Sequence, residues 1–175
     1  MSDIDVYADG VLIVAGRQFR CALGPAGVVE EKREGDSATP AGQFPLRRVH
    51  YRADRGEKPE TGLPVRAISQ SDGWCDDPDH ADYNTLVRLP IEASHEVMAR
   101  DDALYDLVVE VGYNDDPPVP GRGSAIFMHI ARPEYSPTEG CVALARSDLE
   151  AVLRELGPRS SIKIHDHAAP TDSGD

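Results

Sequence analysis

The chain has 175 residues, enough for one domain with a substantial core, and it carries 18 Lys and Arg against 31 Asp and Glu, a formal net charge of −13. A surface of that sign repels phosphate backbones and anionic headgroups, which argues against nucleic acid and membrane surfaces as partners. The sequence contains no apolar run of about 18 residues that could span a membrane. Its three cysteines, Cys21, Cys75 and Cys141, form neither a disulfide framework nor a zinc-binding pattern.

The first residues include Asp3 and Asp5 where a secretory signal would have a basic segment followed by an apolar one. This pattern predicts a cytoplasmic protein. Export by another route, or trimming from a longer form, would instead place the protein in the periplasm.

The N-terminal third predicts a β-meander followed by a Pro/Gly turn. Strands are expected over residues 4–7, 11–15 and 18–23, with Asp9-Gly10 as a hairpin turn. Cys21 lies on the apolar side of the third strand, which indicates a core thiol. Charged residues 29–36 are expected to form a loop, and Thr39-Pro40 a turn that leads into a strand over 43–51.

The middle of the chain is predicted to be loop-rich. Residues 52–62 are polar, 63–68 suit a strand, and a segment with the only tryptophan follows, in which Trp74, Tyr83 and Asn84 are candidate cleft contacts. The weaker alternative for that segment is a metal site, because turns are rich in Asp and Pro for backbone reasons. Its four side chains would be Cys75, Asp76, Asp77 and His80. A short helix is expected within 92–106, a strand over 106–113 and a Pro/Gly loop over 114–123.

The C-terminal part predicts the clearest helix. Ser147 and Glu150 have the spacing of a capping box, and the apolar residues that follow have helical spacing, namely Leu149, Val152, Leu153 and Leu156. Gly157-Pro158 is expected to end this helix. A short strand over 161–165 and a disordered tail over 167–175 complete the prediction.

His129 and Cys141 are the candidate catalytic pair. His129 lies in the apolar run 125–130, which suits a strand buried on both faces, and Cys141 follows Gly140 at the end of a loop that contains Pro133 and Pro137. A strand-end imidazole and a loop-end thiol can meet, in which case the imidazole would lower the thiol pKa and move a proton, while nearby backbone N–H groups hold an oxyanion. Buried Cys and His are also common core residues, so spacing alone leaves a structural role open.

Two motifs in this chain resemble those of the L,D-transpeptidase catalytic-domain (YkuD-like) family. The first is His129 followed by Thr138-Glu139-Gly140-Cys141-Val142, and the second is Gly35-Asp36 with Thr39-Pro40-x-Gly42-x-Phe44. The resemblance implies a mainly β, single-domain sandwich of mixed sheets over residues 1–166, with a C-terminal helix packed beside it. The chain departs from the usual family pattern at Ala143, where Arg or Asn is usual.

The resemblance also implies the roles of the site residues. Cys141 would be the nucleophile and His129 the base and then the acid, while Ile130 would orient the imidazole through its carbonyl and Gly140 would supply an oxyanion N–H. The residues expected to contact substrate are Thr138, Trp74, Tyr83, Asn84 and Arg132. No metal or organic cofactor is required, and carbapenems are expected to act as covalent inhibitors.

The implied activity is cysteine acyl transfer on peptidoglycan stem peptides, through a thioester and with release of the terminal D-Ala. Water as acceptor would make an L,D-carboxypeptidase that trims muropeptides, which the lack of a signal favours slightly. An amine acceptor would make 3→3 cross-links. A non-catalytic peptidoglycan-binding module and a metal-dependent peptidase are the alternatives from other classes.

Overall fold

The structure is a computed structural model that describes residues 2–171. Its regular secondary structure consists mainly of short strands. Their bounds are β1 Ile4–Tyr7, β2 Val11–Val14, β3 Arg17–Arg20, β4 Val28–Val29, β5 Thr39–Pro40, β6 Gly42–Tyr51, β7 Val65–Ala67, β8 Asp72–Cys75, β9 Leu86–Arg88, β10 His95–Val97, β11 Leu107–Val111, β12 Phe127–Ile130, β13 Val142–Leu144 and β14 Ser161–Ile164. One α-helix, α1, spans Arg146–Arg154, and a single 3₁₀ turn spans Pro133–Tyr135.

A nine-stranded mixed sheet forms the body of the molecule. Its order is β13-β12-β11-β6-β14-β1-β2-β3, with β7 paired to β6. The pairs β1/β14, β12/β13 and β6/β7 are parallel, and the remaining pairs are antiparallel. The two ends of the sheet approach each other, since the N–H of Ala22 donates to the Ala143 carbonyl at 2.8 Å and that of Ala143 donates back at 3.0 Å. The sheet is thereby almost closed into a barrel-like sandwich, which confirms the predicted fold class.

The main core fills the inside of this curved sheet and is covered by α1. Leu149, Val152 and Leu153 are fully buried, as their spacing predicts, and pack with strand residues such as Met128 and Ile162. Burial of such side chains contributes about 1.5–3 kcal/mol each. The helix therefore anchors the sheet immediately behind β12 and β13.

The predicted capping box is wrong. The helix begins two residues earlier, with Ala145 instead of Ser147 at the N-cap position and no side-chain cap. Ser147 therefore lies inside the first turn, where its hydroxyl is not placed to cap the free N–H groups. Packing of the apolar face determines where this helix lies, with no contribution from a side chain at the N-cap.

The helix predicted within residues 92–106 is also wrong. His95–Val97 forms β10, which pairs with β8, and β8 pairs with β9 in a separate three-stranded sheet. Pairing with Gly73–Cys75 satisfies the backbone of this segment, so tertiary context decides its conformation over weak local preference. This small sheet forms one wall of a cleft that contains Cys141.

The β-meander over β1, β2 and β3 and the strand β6 agree with prediction, and Cys21 is buried in the core. The disordered-tail prediction covers 167–175, of which 172–175 lie outside the described residues. At the start of that segment the His167 carbonyl accepts the Ala8 N–H at 2.9 Å, and the Ala169 N–H donates to the Asp9 carboxylate at 3.1 Å. Between residues 2 and 171 no helix has the length and apolar character needed to cross a membrane.

Candidate active site

The parallel pair β12 and β13 places His129 and Cys141 on the same face of the sheet. The register aligns Met128 with Val142 and His129 with Ala143. Because side chains alternate along a strand, Met128 and Val142 point into the main core, whereas His129 and Cys141 point to the opposite side. The predicted meeting of a strand-end imidazole and a loop-end thiol therefore follows from the register.

The thiol of Cys141 is held between two backbone groups. The Phe127 N–H lies 3.4 Å from Sγ, and Sγ lies 3.2 Å from the Ala125 carbonyl oxygen, to which the thiol donates. Burial, together with the negative charge of Glu96, raises the pKa of Cys141 to about 12. The expected lowering of the thiol pKa is therefore outweighed by burial in the free protein, in which the thiol is protonated.

His129 is held in one tautomer by its neighbour in the chain. Its Nδ1 lies 2.9 Å from the Ile130 carbonyl oxygen, the contact that the resemblance led us to expect. A carbonyl only accepts, so Nδ1 carries the proton and Nε2 of the neutral ring is free to accept one. Burial, with smaller contributions from the positive charges of Arg100 and Arg132, lowers the pKa of His129 to about 4, although the hydrogen bond to Ile130 opposes the shift. The resting site is thus a neutral thiol beside a neutral imidazole.

The turn before the nucleophile is closed by Thr138. The Gly140 N–H donates to Thr138 Oγ1 at 3.1 Å, and this hydroxyl donates to the Cys141 carbonyl at 2.7 Å. The predicted role of the Gly140 N–H in the oxyanion hole is therefore wrong in this geometry, because that donor is already used. The predicted substrate contact by Thr138 is likewise replaced by a turn contact of its hydroxyl, although its side chain lines the pocket.

Gly140 joins the two sequence motifs. Its φ of +139° favours glycine, and a Cβ added there would lie 2.6 Å from the carbonyl oxygen of Ala38. Ala38 belongs to the loop organised by Asp36, whose carboxylate accepts the N–H of Ala38 at 3.0 Å and the ammonium of Lys32 at 2.7 Å. The Gly-Asp motif thus positions a backbone carbonyl against the turn that carries the nucleophile.

The structure does not bring Trp74, Tyr83 and Asn84 to the pocket wall. All three are buried, and Asn84 Oδ1 accepts the Trp74 Nε1–H at 2.9 Å and the Ala125 N–H at 3.0 Å. The Tyr83 hydroxyl donates to Glu34 at 2.7 Å. Their predicted direct contact with substrate does not fit this burial. Instead, Asn84 supports Ala125, the residue whose carbonyl holds the thiol.

Cys141 opens into pockets on two sides. One pocket, of about 160 Å³, is lined by Cys141, His129 and Ala143, and by Arg132 as expected. Its other lining residues, which the sequence did not indicate as substrate contacts, are Glu96, Arg100, Leu104, Tyr105, Ser136, Pro137 and Glu139. The other, of about 330 Å³, runs from Cys141 and Glu96 towards Lys32, Glu34, Asp76 and Ser124. The two pockets together form a cleft with the nucleophile at its centre.

Partly buried Glu96 and buried Tyr105 form a polar pair in the wall of this cleft. The Tyr105 hydroxyl donates to Glu96, burial raises the pKa of Glu96, and the Tyr105 ring lies edge-on to His129 with 5.4 Å between ring centroids. No motif signals these residues, because β10 and the 98–106 segment reach the site only through long-range pairing. Within residues 2–171 no group of three or more His, Cys, Asp and Glu side chains is arranged to hold a metal ion.

Comparison with known proteins agrees with the fold. Two similar solved structures are a mutant of the helical cell shape determining protein Pgp2 from Campylobacter jejuni (16% identity, 96% of this chain and 48% of that one, TM-score 0.50) and Bd1075 from Bdellovibrio bacteriovorus (13% identity, 98% and 50%, TM-score 0.51). The chain thus spans about half the length of these structures. No curated protein sequence matches it significantly. The family model of the L,D-transpeptidase catalytic domain, YkuD, matches residues 3–171, and the chain therefore belongs to that family.

Proposed function

We propose that this protein is a cysteine acyl-transfer enzyme that acts on peptidoglycan tetrapeptide stems and releases the terminal D-Ala. The observation that carries the proposal is the placement of the Cys141 thiol and the His129 imidazole on one pocket, with Nδ1 of the ring bonded to Ile130 and Nε2 free. A nucleophile, a base and a group that orients the base are the three components of covalent acyl transfer. Membership in the L,D-transpeptidase family supports the choice of substrate.

Acylation begins when the thiol leaves the Ala125 carbonyl and gives its proton to Nε2 of His129. The sulfur attacks the carbonyl carbon of the third stem residue, and the C–N bond to D-Ala breaks as the imidazolium returns the proton to the departing amine. The product is a thioester on Cys141. Attack by water or an amine, deprotonated by His129, then releases the acyl group and restores the thiol.

The oxyanion of the tetrahedral intermediate requires a donor other than Gly140. The N–H of Cys141 itself has no acceptor among residues 2–171, and it lies one bond from the Cα that carries the nucleophile. We assign the oxyanion contact to this group. A single well-placed donor of this kind contributes about 10²–10³-fold to kcat.

We favour water over a second stem peptide as the acyl acceptor. The incoming nucleophile must reach the thioester from the side of His129, which deprotonates it, and the pocket there has a volume of only about 160 Å³. Such a space suits water or one small amino acid better than a second peptide stem. Hydrolysis would make the protein an L,D-carboxypeptidase, and cross-linking is the competing outcome.

The test is incubation with a disaccharide-tetrapeptide, followed by mass spectrometry, with Cys141→Ala as the matched control. Loss of D-Ala without a larger product would support the carboxypeptidase. A cross-linked dimer, or exchange of D-Ala for another D-amino acid, would instead identify a transpeptidase. Acid quenching during turnover should reveal the acyl group on the Cys141 peptide, and a carbapenem should add to the same residue.

A binding module without activity predicts a different result. Wild type and Cys141→Ala would then bind the disaccharide-tetrapeptide equally and leave it unchanged. That outcome would overturn the proposed chemistry. Chelator treatment adds a second control, since loss of activity with chelator would point to a metal-dependent peptidase.

A further inference from the structure

The two sides of the cleft differ in charge. Apart from the residues that border both sides, the charged side chains next to His129 are Arg100 and Arg132, whereas those on the far side of Cys141 are Lys32, Glu34 and Asp76. Lys32 is paired with Asp36 at 2.7 Å, so its charge is largely compensated. Arg100 is likewise paired with Asp102 at 2.7 Å, so among the described residues that line the two pockets the uncompensated cation is Arg132, on the side that holds the imidazole.

The chemistry of the proposed reaction determines which part of the substrate lies on the side that holds the imidazole. The departing amine takes its proton from His129, and His129 borders only the smaller pocket. The terminal residue of the stem must therefore occupy that pocket while the acyl portion extends over Cys141. In a terminal residue the carboxylate is two bonds from the amine nitrogen, so it is placed next to the same wall.

Arg132 is positioned to receive an anion there. It is exposed, and none of the ion pairs formed between residues 2 and 171 involves it. It lies just beyond the end of β12, where the Ala131 N–H donates to the Leu144 carbonyl at 2.7 Å and Pro133 follows in the chain. Its backbone is thus held close to the imidazole.

Arg100 adds a second, partly used guanidinium. Its Nε and Nη2 donate to Asp102 at 2.9 and 2.7 Å, which leaves Nη1 without a carboxylate partner, and its Cζ lies 5.2 Å from the centroid of the Tyr105 ring. Both arginines line the same pocket as His129, and their charges contribute to its lowered pKa.

We infer that Arg132, assisted by Arg100, forms a subsite for the free carboxylate of the terminal residue, and that this subsite makes the enzyme selective for stems with an unmodified C-terminus. The inference rests on the proposed function and adds to it the group that is recognised and the direction in which the stem lies. Glu96 and Glu139 border both pockets. Glu96 accepts the Tyr105 hydroxyl and has a raised pKa, so it opposes an anion less than a free carboxylate would.

The test compares two substrates that differ only at the C-terminus, a tetrapeptide stem ending in D-Ala and the same stem ending in D-alaninamide. Wild type should prefer the acid by about ten- to a hundredfold in kcat/KM, the range for a charge-assisted hydrogen bond. Arg132→Gln should remove most of that preference by slowing only the acid substrate, and Arg100→Gln should remove part of it. Arg159→Gln, at an exposed arginine outside both pockets, is the matched control and should keep the preference.

Equal turnover of acid and amide by wild type, or an equal loss on both substrates in Arg132→Gln, would overturn the inference. Binding of the two peptides to Cys141→Ala separates this result from failure of the proposed function. Wild type could turn over neither peptide while Cys141→Ala still binds the acid more tightly than the amide. If adding Arg132→Gln to Cys141→Ala then abolishes this preference, the subsite is supported and the proposed reaction is not. Equal binding of both peptides by Cys141→Ala would overturn the subsite.

Discussion

Acidification should destabilise the fold through the His129 ring. Burial lowers the pKa of His129 from its ordinary value of 6.5 to about 4. Between pH 6.5 and pH 4, the ring is therefore protonated in the unfolded chain but neutral in the folded protein. The free energy of unfolding is therefore fully retained above pH 6.5 and declines as the pH falls towards 4. At about 1.4 kcal/mol per pH unit, the interval amounts to roughly 3 kcal/mol.

The measurement is chemical denaturation of wild type and His129→Gln at intervals between pH 4 and 7. The other titrating groups are common to both proteins, so the difference between the two unfolding free energies isolates this ring. We expect wild type to lose about 3 kcal/mol relative to the variant across the range, a large fraction of the stability of a small domain. A difference that stays constant with pH would refute the reasoning, because His129 would then bind protons equally in the folded and unfolded states and its pKa would not be lowered.

Three further predictions concern the nucleophile and its turn. Thr138→Val removes the acceptor of the Gly140 N–H and the donor to the Cys141 carbonyl. Denaturation should therefore show a loss of about 1–3 kcal/mol in the free energy of unfolding, and kinetics a loss of about 10²-fold in kcat/KM. Thr138→Ser should restore both quantities, and equal behaviour of the two variants would contradict the role of the hydroxyl. Gly140→Ala should destabilise the protein by more than Gly27→Ala in the same assay, because both glycines have positive φ but only Gly140 would place a Cβ against Ala38; equal losses would argue against the close approach. Alkylation of Cys141 by iodoacetamide should be slow at pH 7 and rise about tenfold per pH unit up to pH 10, since the pKa of the thiol is raised to about 12; rapid labelling at pH 7, followed by peptide mass spectrometry, would show a thiolate in the free enzyme.

The parts of the site that sequence predicts are those encoded by neighbours in the chain. His129 and Ile130 are adjacent, and the Thr138 to Val142 turn is one continuous segment, so motif spacing is enough to place them. The helix after β13 is equally local, because its buried face follows from the spacing of Leu149, Val152 and Leu153.

The remainder depends on pairing between distant segments. Glu96 reaches the cleft because β10 pairs with β8, and Tyr105 because the segment before β11 folds over His129. The local sequence of residues 92–106 suggested a helix, and nothing in it signals a wall of polar side chains. The hydrogen bond from the Gly140 N–H to Thr138 depends on the detailed backbone geometry of one turn, which motif spacing cannot resolve.

Cys141 and His129 are both buried, which motif spacing could not reveal. Their burial determines how the thiol can be activated. A thiol whose pKa is raised by burial and an imidazole whose pKa is lowered by it do not exchange a proton spontaneously, so the free enzyme keeps an unreactive thiol that donates to the Ala125 carbonyl. Ala125 has a positive φ of 53° and is fixed by the Asn84 amide oxygen at 3.0 Å, so this resting contact is built into the backbone. Activation must then come with the substrate, whose developing oxyanion and departing amine stabilise the charges that the empty site disfavours. If the proposed function is correct, the thiol is thereby protected from adventitious electrophiles until substrate lies in the cleft.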